Sequence, residues 1–209
     1  MKFIYTRIKD EIRIDQIEDP EVVIYVPEQF EDCPVIAAVK DEEGLKACID
    51  SEIGIVFVLF GDICSISGIV KRLKDAGKTV IVHLDLISGL SGKEIAVTFI
   101  RNTTDADGII STKPALIRQA KECNLFTVMR FFAIDSMAFD NIRRQSESVH
   151  PDIIEVLPGL MPKVIRRICT ESRIPVIAGG LITDREDIMA ALNAGAISIS
   201  TTNRQVWFM

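Results

Sequence analysis

Several common protein classes are excluded by what this sequence lacks. No apolar run approaches the ~20 residues that cross a bilayer, and the N-terminal segment is charged throughout, without the apolar core of a secretion signal. The two histidines, His83 and His150, are too few and too distant in sequence to suggest a metal centre. We therefore expect a cytoplasmic protein with no membrane partner, no bound metal and no cofactor.

Cysteine and positive charge are also limited. The five cysteines are an odd number and include no C-x-x-C pair, so we expect reduced thiols and neither a disulfide framework nor a zinc site. A formal net charge of −6 argues against broad nonspecific binding to nucleic acid. A local basic patch is compatible with that charge, and its candidates are Arg143, Arg144, Arg166 and Arg167. The alternative is that these arginines form ordinary solvated helix surface.

What the chain does contain is a regular alternation of strands and helices. Its 209 residues suffice for one domain with a sizeable core. From residue 35 onward, continuous apolar runs alternate with helical spacing, which is typical of parallel strands covered on both faces. The predicted strands are residues 35–39, 55–60, 79–84, 108–111, 127–132, 153–157, 175–178 and 196–200. Eight such strands predict a small α/β protein with a TIM-barrel-like (β/α)8 fold. An open doubly wound sheet has less support, because no G-x-G-x-x-G follows an early strand.

Residues 1–32 do not share this pattern. We assign them to an N-terminal extension that precedes the barrel domain at residues 33–209. Residues 3–8 and 12–17 have the spacing of a hairpin, and residues 22–26 that of a further strand.

Residues 174–203 have the layout of a phosphate site on such a barrel. A strand ends in two glycines, a helix pattern follows, and the last strand ends in a hydroxyl-rich turn. Glycines let the backbone approach an oxyanion and hydroxyls add donors, and barrels often bind phosphate between the loops after their last two strands. The predicted phosphate-binding residues are Gly179, Gly180, Leu181, Thr201 and Thr202. The alternative is that both glycines serve only the turns.

Charged residues stand where four of the apolar strands end. Asp85 and Lys113 follow the third and fourth strands, and Arg130 and Glu155 lie in the fifth and sixth. Because a charge in an apolar strand is costly unless it is paired or solvated, we favour a polar pocket at this end of the barrel. In it, Lys113 and Arg130 would attract an anion. Asp85 and Glu155 would accept hydrogen bonds from hydroxyl groups. The alternative is an ion network that only fills the barrel mouth, and His83 alone is more often a core histidine than an acid or base.

Six motifs in one order resemble those of the glycerol-3-phosphate-responsive antiterminators, the GlpP family, over residues 34–207. They are HLDLISGLS (83–91), DGIISTK (107–113), RFFAIDS (130–136), DIIEVLPGLMPK (152–163), IAGGLI (177–182) and ISISTTN (197–203). The resemblance implies a TIM-barrel-like fold, binding of glycerol 3-phosphate, and action on leader mRNA so that transcription passes a terminator. It implies a regulator of glycerol uptake genes with no catalytic step. One departure from the family pattern is Met129, where a glutamine is expected before Arg130.

The resulting hypothesis is a ligand-sensing regulator whose partners are glycerol 3-phosphate and leader mRNA, as a monomer or a homo-oligomer. In it, the phosphate turns bind the phosphate, and Asp85, Lys113, Arg130 and Glu155 line the glycerol end. The main alternative is an enzyme that uses the same pocket on a phosphotriose or glycerol phosphate, such as a lyase or a prenyltransferase-like enzyme. A barrel that binds only protein partners is a third hypothesis.

Overall fold

The computed structural model describes residues 5–8, 11–14, 23–24, 30 and 33–208. The first three strands, β1 (Tyr5–Ile8), β2 (Glu11–Ile14) and β3 (Val23–Ile24), form an antiparallel sheet in the order β1-β2-β3. Ile8 stands opposite Glu11, so the predicted hairpin is present. The intervening residues 9 and 10 lie outside the described residues.

The remaining eight strands form a closed, all-parallel barrel, which confirms the predicted fold class. They are β4 (Val35–Val39), β5 (Ile55–Val58), β6 (Thr79–His83), β7 (Gly108–Ser111), β8 (Phe126–Phe132), β9 (Ile153–Leu157), β10 (Val176–Gly179) and β11 (Ser198–Thr201). Each strand pairs with its neighbour in sequence, and β11 pairs with β4 to close the ring. Closure brings residues from opposite ends of the sequence to one mouth.

A helix connects each barrel strand to the next. The helices are α1 (Glu42–Ile49), α2 (Ile66–Asp75), α3 (Ile95–Thr103), α4 (Pro114–Glu122), α5 (Ser136–Val149), α6 (Pro162–Glu171) and α7 (Arg185–Asn193). After β11, a 3-10 helix at Arg204–Phe208 stands in place of an eighth α-helix. Asp41, Asp135 and Asp184 cap α1, α5 and α7 by accepting from a backbone N–H in the first turn.

Alternation along the strands divides their side chains between the barrel interior and the helix layer. The apolar interior consists of Ile36, Ala38, Ile55, Phe57, Ile81, Ile110, Val128, Ile153 and Ile177. Phe30 joins this cluster and stacks on Phe126, with ring centroids 5.4 Å apart. Because Phe126, Ile55 and Ile153 are the first residues of their strands, Phe30 closes the interior at the N-terminal end.

The interior positions become polar at the C-terminal strand ends. The next inward-facing positions of five strands are His83, Arg130, Glu155, Gly179 and Ser200, all of them buried. The apolar layers below exclude water from this group, so charges placed there interact more strongly than at the surface. The fold thus places a layer of polar side chains directly above the apolar interior of the barrel.

Candidate functional site

A buried ion pair occupies the centre of this polar layer. Arg130 Nε donates to Glu155 Oε2 at 2.5 Å, and Ser200 Oγ donates to Glu155 Oε1 at 2.5 Å. The register of β8 and β9 sets Arg130 directly opposite Glu155. Glu155 is 0% exposed and Arg130 only 8%. Both carboxylate oxygens therefore already accept from the protein, and the carboxylate fixes the orientation of the guanidinium.

The two terminal nitrogens of Arg130 are available to a ligand. They make no hydrogen bond to any residue in the described part of the chain, where the only partner of this side chain is Glu155. A guanidinium presents its donors in a planar fork that matches the oxygens of a phosphate or carboxylate. Arg130 is thus a fixed cation with free donors at the barrel mouth.

Gly179 lies against this ion pair. A Cβ at Gly179 would stand 2.6 Å from Glu155 Oε1 and 2.6 Å from Ser200 Oγ. Both distances are far shorter than a van der Waals contact, so the Glu155 carboxylate and the Ser200 hydroxyl fill the space that a side chain at Gly179 would need. The structure gives Gly179 a packing role, and it sets the start of the glycine turn directly beside the buried charges.

Asp85 is held by the residues that follow β7. Its Oδ2 accepts from Thr112 N at 2.8 Å and from Ser111 Oγ at 3.0 Å. Lys113 Nζ lies 3.2 Å from the other oxygen, Oδ1. Burial alone raises the pKa of Asp85, but the hydrogen bonds from Thr112 and Ser111 and the ion pair with Lys113 outweigh it and hold the pKa below its ordinary value. Asp85 is therefore ionised at neutral pH, and the Lys113 side chain, which is 48% exposed, lines the same rim.

His83 joins the site although its sequence context gave it no role. The side chain is 3% exposed, and Nδ1 lies 3.9 Å from Asp85 Oδ2, beyond hydrogen-bond distance. Burial, and next the charge of Arg130, lower the pKa of His83 to about 4, against the opposing effect of Asp85. The ring is thus neutral at pH 7. Period-two alternation with the buried Ile81 was the available signal that His83 faces inward.

The glycine turn offers unpaired backbone donors. Gly180 and Leu181 both have positive φ, at +76° and +64°. Leucine rarely adopts this conformation, and Leu181 points its side chain outward, 69% exposed. The N–H groups of Gly180, Leu181 and Thr202 donate to no described residue. Three free N–H groups therefore lie on the loops after β10 and β11.

Thr201 and Thr202, predicted together, have different surroundings. Thr201 is buried, and its hydroxyl donates to the Ile182 carbonyl at 2.9 Å, which ties the two loops together. The Trp207 indole donates to the Thr201 carbonyl at 2.9 Å. Thr202 is exposed and lines a polar cleft of about 450 Å³ together with Lys40. The Thr201 hydroxyl is thus already used within the fold, whereas Thr202 is open to a ligand.

The loop after β9 is bound to the glycine turn. Gly159 N donates to the Gly180 carbonyl at 3.1 Å, and the preceding Leu157–Pro158 peptide bond is cis. A Cβ at Gly159 would stand 2.8 Å from the Ile182 side chain. The three loops after β9, β10 and β11 therefore form one connected rim, and the loop after β9 continues into α6.

Met129 faces away from this site. It is fully buried and belongs to the apolar cluster between the strands and the helices. Its neighbour Arg130 faces the interior, as alternation requires. The departure noted at this position in the sequence therefore does not alter the lining of the pocket.

The four arginines of the predicted basic patch are distributed over α5 and α6. Arg143 lines a groove of about 160 Å³ between these helices together with Phe139, Glu147 and Glu171, and Arg167 stacks on the Phe139 ring, 4.0 Å from its centroid. Arg167 also pairs with Glu171 at 2.8 Å. Arg144 donates to Asn141, and Arg166 donates to the Asn193 carbonyl toward α7. Arg143 and Arg167 thus flank one groove, whereas Arg166 is directed to the next helix.

The described part of the chain gives no metal centre. Its His, Cys, Asp and Glu side chains form no cluster of three or more that could hold an ion. None of the five cysteines, which all lie in the described ranges, forms a disulfide, and burial raises the pKa of Cys169 to about 12. No described helix is both long and apolar enough to pass through a bilayer.

Comparison with known proteins gives consistent matches over the barrel. The family model described as glycerol-3-phosphate responsive antiterminator matches residues 35–207. The protein YgcP of Escherichia coli (strain K12), itself uncharacterized, is 49% identical over 174 residues, which cover 83% of this chain and 91% of YgcP. A glycerol uptake operon antiterminator regulatory protein from Listeria monocytogenes superimposes with a TM-score of 0.83 at 31% identity, covering 86% of this chain and 97% of that one. A glycerol uptake operon antiterminator-related protein from Thermotoga maritima gives 0.76 at 38% identity, with coverages of 85% and 99%.

Proposed function

We propose that this chain, which belongs to the glycerol-3-phosphate responsive antiterminator family, binds glycerol 3-phosphate at the C-terminal mouth of its barrel and thereby regulates transcription antitermination. Membership in that family favours a regulator over an enzyme. The observation that carries the ligand assignment is the presence of three free N–H groups and a buried arginine with free donors at the same end of the barrel.

The phosphate binds to the two loops after β10 and β11. Backbone N–H groups of Gly180, Leu181 and Thr202 donate to its oxygens, and the Thr202 hydroxyl adds a further donor. The N-terminus of α7 is a weaker candidate, because Asp184 already accepts from the N–H of Asp187 in its first turn, Asp187 accepts from the N–H of Thr183, and both add negative charge. Gly179 and Thr201 act indirectly, by leaving room and by joining the loops.

The charged residues around the interior bind the rest of the ligand. Arg130 and Lys113 supply positive charge near the phosphate and the glycerol backbone. Asp85 accepts from a hydroxyl group, as the sequence predicted. Glu155 has a different role in this proposal: with both oxygens occupied, it positions Arg130 and does not contact the glycerol.

Thermal unfolding with added glycerol 3-phosphate tests this assignment. A ligand at 100 times its Kd adds about 2.7 kcal/mol to the free energy of unfolding, which raises the Tm of a protein this size by roughly 5–10 °C. Gly180→Asp should abolish the shift, since a carboxylate then competes with the phosphate for the turn. Gly77→Asp is the matched control, because Gly77 also has positive φ, at +74°, and open space around its Cβ position.

Two results would contradict the proposal. If folded Gly180→Asp keeps the full shift, the phosphate binds elsewhere. If glycerol 3-phosphate is converted to a new compound on long incubation with wild type, and Lys113→Ala stops the conversion, the chain is an enzyme that uses this pocket. Light scattering on the same samples with and without ligand distinguishes a monomer from a homo-oligomer.

The regulatory output acts on leader RNA through the groove between α5 and α6. Arg143 and Arg167 flank this groove, and an acidic protein that binds a transcript must concentrate its cations locally. The loop after β9, which donates to the Gly180 carbonyl, leads directly into α6. Ligand-dependent binding of leader RNA, measured with and without glycerol 3-phosphate, tests this step. No binding in either condition would contradict it.

A further inference from the structure

Two buried atoms at the end of β6 have no hydrogen-bond partner in the protein. Among the described residues, His83 Nδ1 and Asp85 Oδ1 are the only buried side-chain nitrogen or oxygen atoms in this condition. A buried polar atom without a partner costs about 1–3 kcal/mol, and native proteins contain few of them. That both stand two residues apart, at the functional end of one strand, indicates a binding role.

The two side chains are spaced to share one bound group. His83 Nδ1 lies 3.9 Å from the nearer carboxylate oxygen, Asp85 Oδ2. This gap is too long for a direct hydrogen bond. Oδ2 already accepts from Ser111 and Thr112, so a hydroxyl group between the two residues would donate to Oδ1 of the same carboxylate and pair with Nδ1, through hydrogen bonds of about 2.7–3.0 Å.

The charge state of the pair selects the kind of group. Asp85 is ionised and can only accept, while the neutral His83 ring can donate or accept at Nδ1 according to its tautomer. A phosphate or carboxylate oxygen would face the negative Asp85 with no compensating charge on His83. A hydroxyl group can donate its proton to the carboxylate and accept a hydrogen bond from a protonated Nδ1. With the other tautomer, Nδ1 instead accepts a hydrogen bond.

Lys113 and Arg130 lie near this pair, and neither of them bonds His83 Nδ1. Lys113 Nζ stands 3.2 Å from Asp85 Oδ1 without the geometry of a hydrogen bond, and Arg130 is held by Glu155. His83 Nδ1 therefore lies close to two cations that leave it available to a ligand.

We infer that His83 and Asp85 together bind a hydroxyl group of the ligand and make the site selective for a polyol phosphate over a deoxy analogue or a phosphorylated acid. This inference rests on the proposed function, since it concerns the other end of the same ligand. It adds His83 as a specificity-determining residue.

Calorimetric titration of wild type and His83 variants with a ligand series tests the inference. The probes are glycerol 3-phosphate, two analogues that each lack one of its hydroxyl groups, 3-phosphoglycerate and inorganic phosphate. The two analogues are 3-hydroxypropyl phosphate and 2-hydroxypropyl phosphate. Wild type should prefer glycerol 3-phosphate by about tenfold or more over the analogue that lacks the bound hydroxyl, and over 3-phosphoglycerate. His83→Phe should remove that preference by weakening glycerol 3-phosphate about tenfold, while inorganic phosphate binds as before.

His83→Asn and His150→Asn serve as the matched variants. The asparagine amide places a polar atom near the position of Nδ1, so His83→Asn should retain part of the preference. This variant also covers the case in which His83→Phe does not fold. His150 is the other histidine of the chain, exposed at the end of α5, and its replacement should change no affinity.

The outcomes separate the inference from the proposed function. If wild type does not bind glycerol 3-phosphate, both are wrong. If wild type binds it and the His83 variants discriminate among the probes as wild type does, only the inference is wrong. Equal weakening of every probe, inorganic phosphate included, would also overturn the inference, because His83 would then support the fold or the phosphate turn and not a hydroxyl group.

Discussion

We expect the neighbouring glycines Gly179 and Gly180 to respond differently to replacement by alanine. At Gly179 an alanine Cβ would stand 2.6 Å from Glu155 Oε1 and from Ser200 Oγ. Both atoms belong to a buried hydrogen-bonded group, so neither can move aside freely. At Gly180 the nearest atom is Leu157 Cδ2, at 3.2 Å, the end of a flexible side chain, and the main cost is the positive φ of +76°.

These contacts give two different magnitudes. Overpacking a core costs about 1–3 kcal/mol, and disrupting a buried ion pair so that one charge loses its partner costs about 3–5 kcal/mol. Since the Glu155 carboxylate can rotate part of the way, we expect Gly179→Ala to lower the free energy of unfolding by about 3 kcal/mol. An L-residue in the left-handed region costs about 1–2 kcal/mol, so Gly180→Ala should lose about 1 kcal/mol.

Thermal unfolding measured without ligand separates the two variants. For a chain of this size each kcal/mol corresponds to about 2–4 °C in Tm, so we expect a fall of roughly 6–12 °C for Gly179→Ala and 2–4 °C for Gly180→Ala. Combining Gly179→Ala with Ser200→Ala removes one of the two clashing atoms, and the double variant should lose less than the sum of the single losses. If Gly179→Ala is no less stable than Gly180→Ala, the packing role assigned to Gly179 is wrong.

Two further predictions follow from the polar layer and from the helix surface. The folded-state pKa of His83 is about 4 against an ordinary 6.5. The unfolded chain therefore binds the proton first, and stability that is complete above pH 6.5 declines toward pH 4 by at most about 3 kcal/mol. The urea midpoint of wild type should fall more steeply over this range than that of His83→Asn, and equal slopes would refute the buried neutral imidazole. Changing the four arginines of α5 and α6 to glutamine should weaken leader-RNA binding and reduce its salt slope by about 0.7 for each lost phosphate contact. Changing Lys71 and Arg72 on α2 should alter neither the affinity for leader RNA nor its salt slope. An unaltered salt slope in the quadruple variant would exclude this groove as the RNA-binding surface.

Local sequence was sufficient for the barrel because each of its parts carries a local signal. The predicted bounds of Val35–Val39, Gly108–Ser111 and Ile153–Leu157 agree with the structure, since each is a short apolar run between turn residues. The run at residues 55–60 was predicted two residues too long. The strand ends at Val58, and the apolar Leu59 and Phe60 that follow it are only partly buried. The 3-10 helix at Arg204–Phe208 was not predicted, because its few residues show no amphipathic period.

The partners within the site could not be predicted in this way. Ser200 bonds Glu155 across 45 residues of sequence, because β9 and β11 both pair with β10 and their inward-facing side chains meet in the barrel interior. The β8–β9 register sets Arg130 opposite Glu155, so Arg130 and Ser200 occupy both carboxylate oxygens, and the proposed role of Glu155 becomes that of positioning a cation. His83 was judged from its rarity and its apolar neighbours, whereas its environment is set first by burial in the barrel and next by the charge of Arg130, which lies on β8.

The glycine pair illustrates why residue type alone does not assign a role. Gly179 is required for the absence of a side chain and Gly180 for its backbone conformation, although the sequence shows the same residue at both positions. Gly180 has positive φ, and its N–H and that of Leu181 donate to no described residue. The missing Cβ at Gly179 leaves the Glu155 carboxylate in place to hold Arg130. The proposed phosphate site on the turn and the cation in the interior thus depend on adjacent residues at one strand end, so the geometry of each constrains the other. A substitution that moves the β10 strand end is therefore expected to affect both the backbone donors and the guanidinium, even where it contacts only one of them.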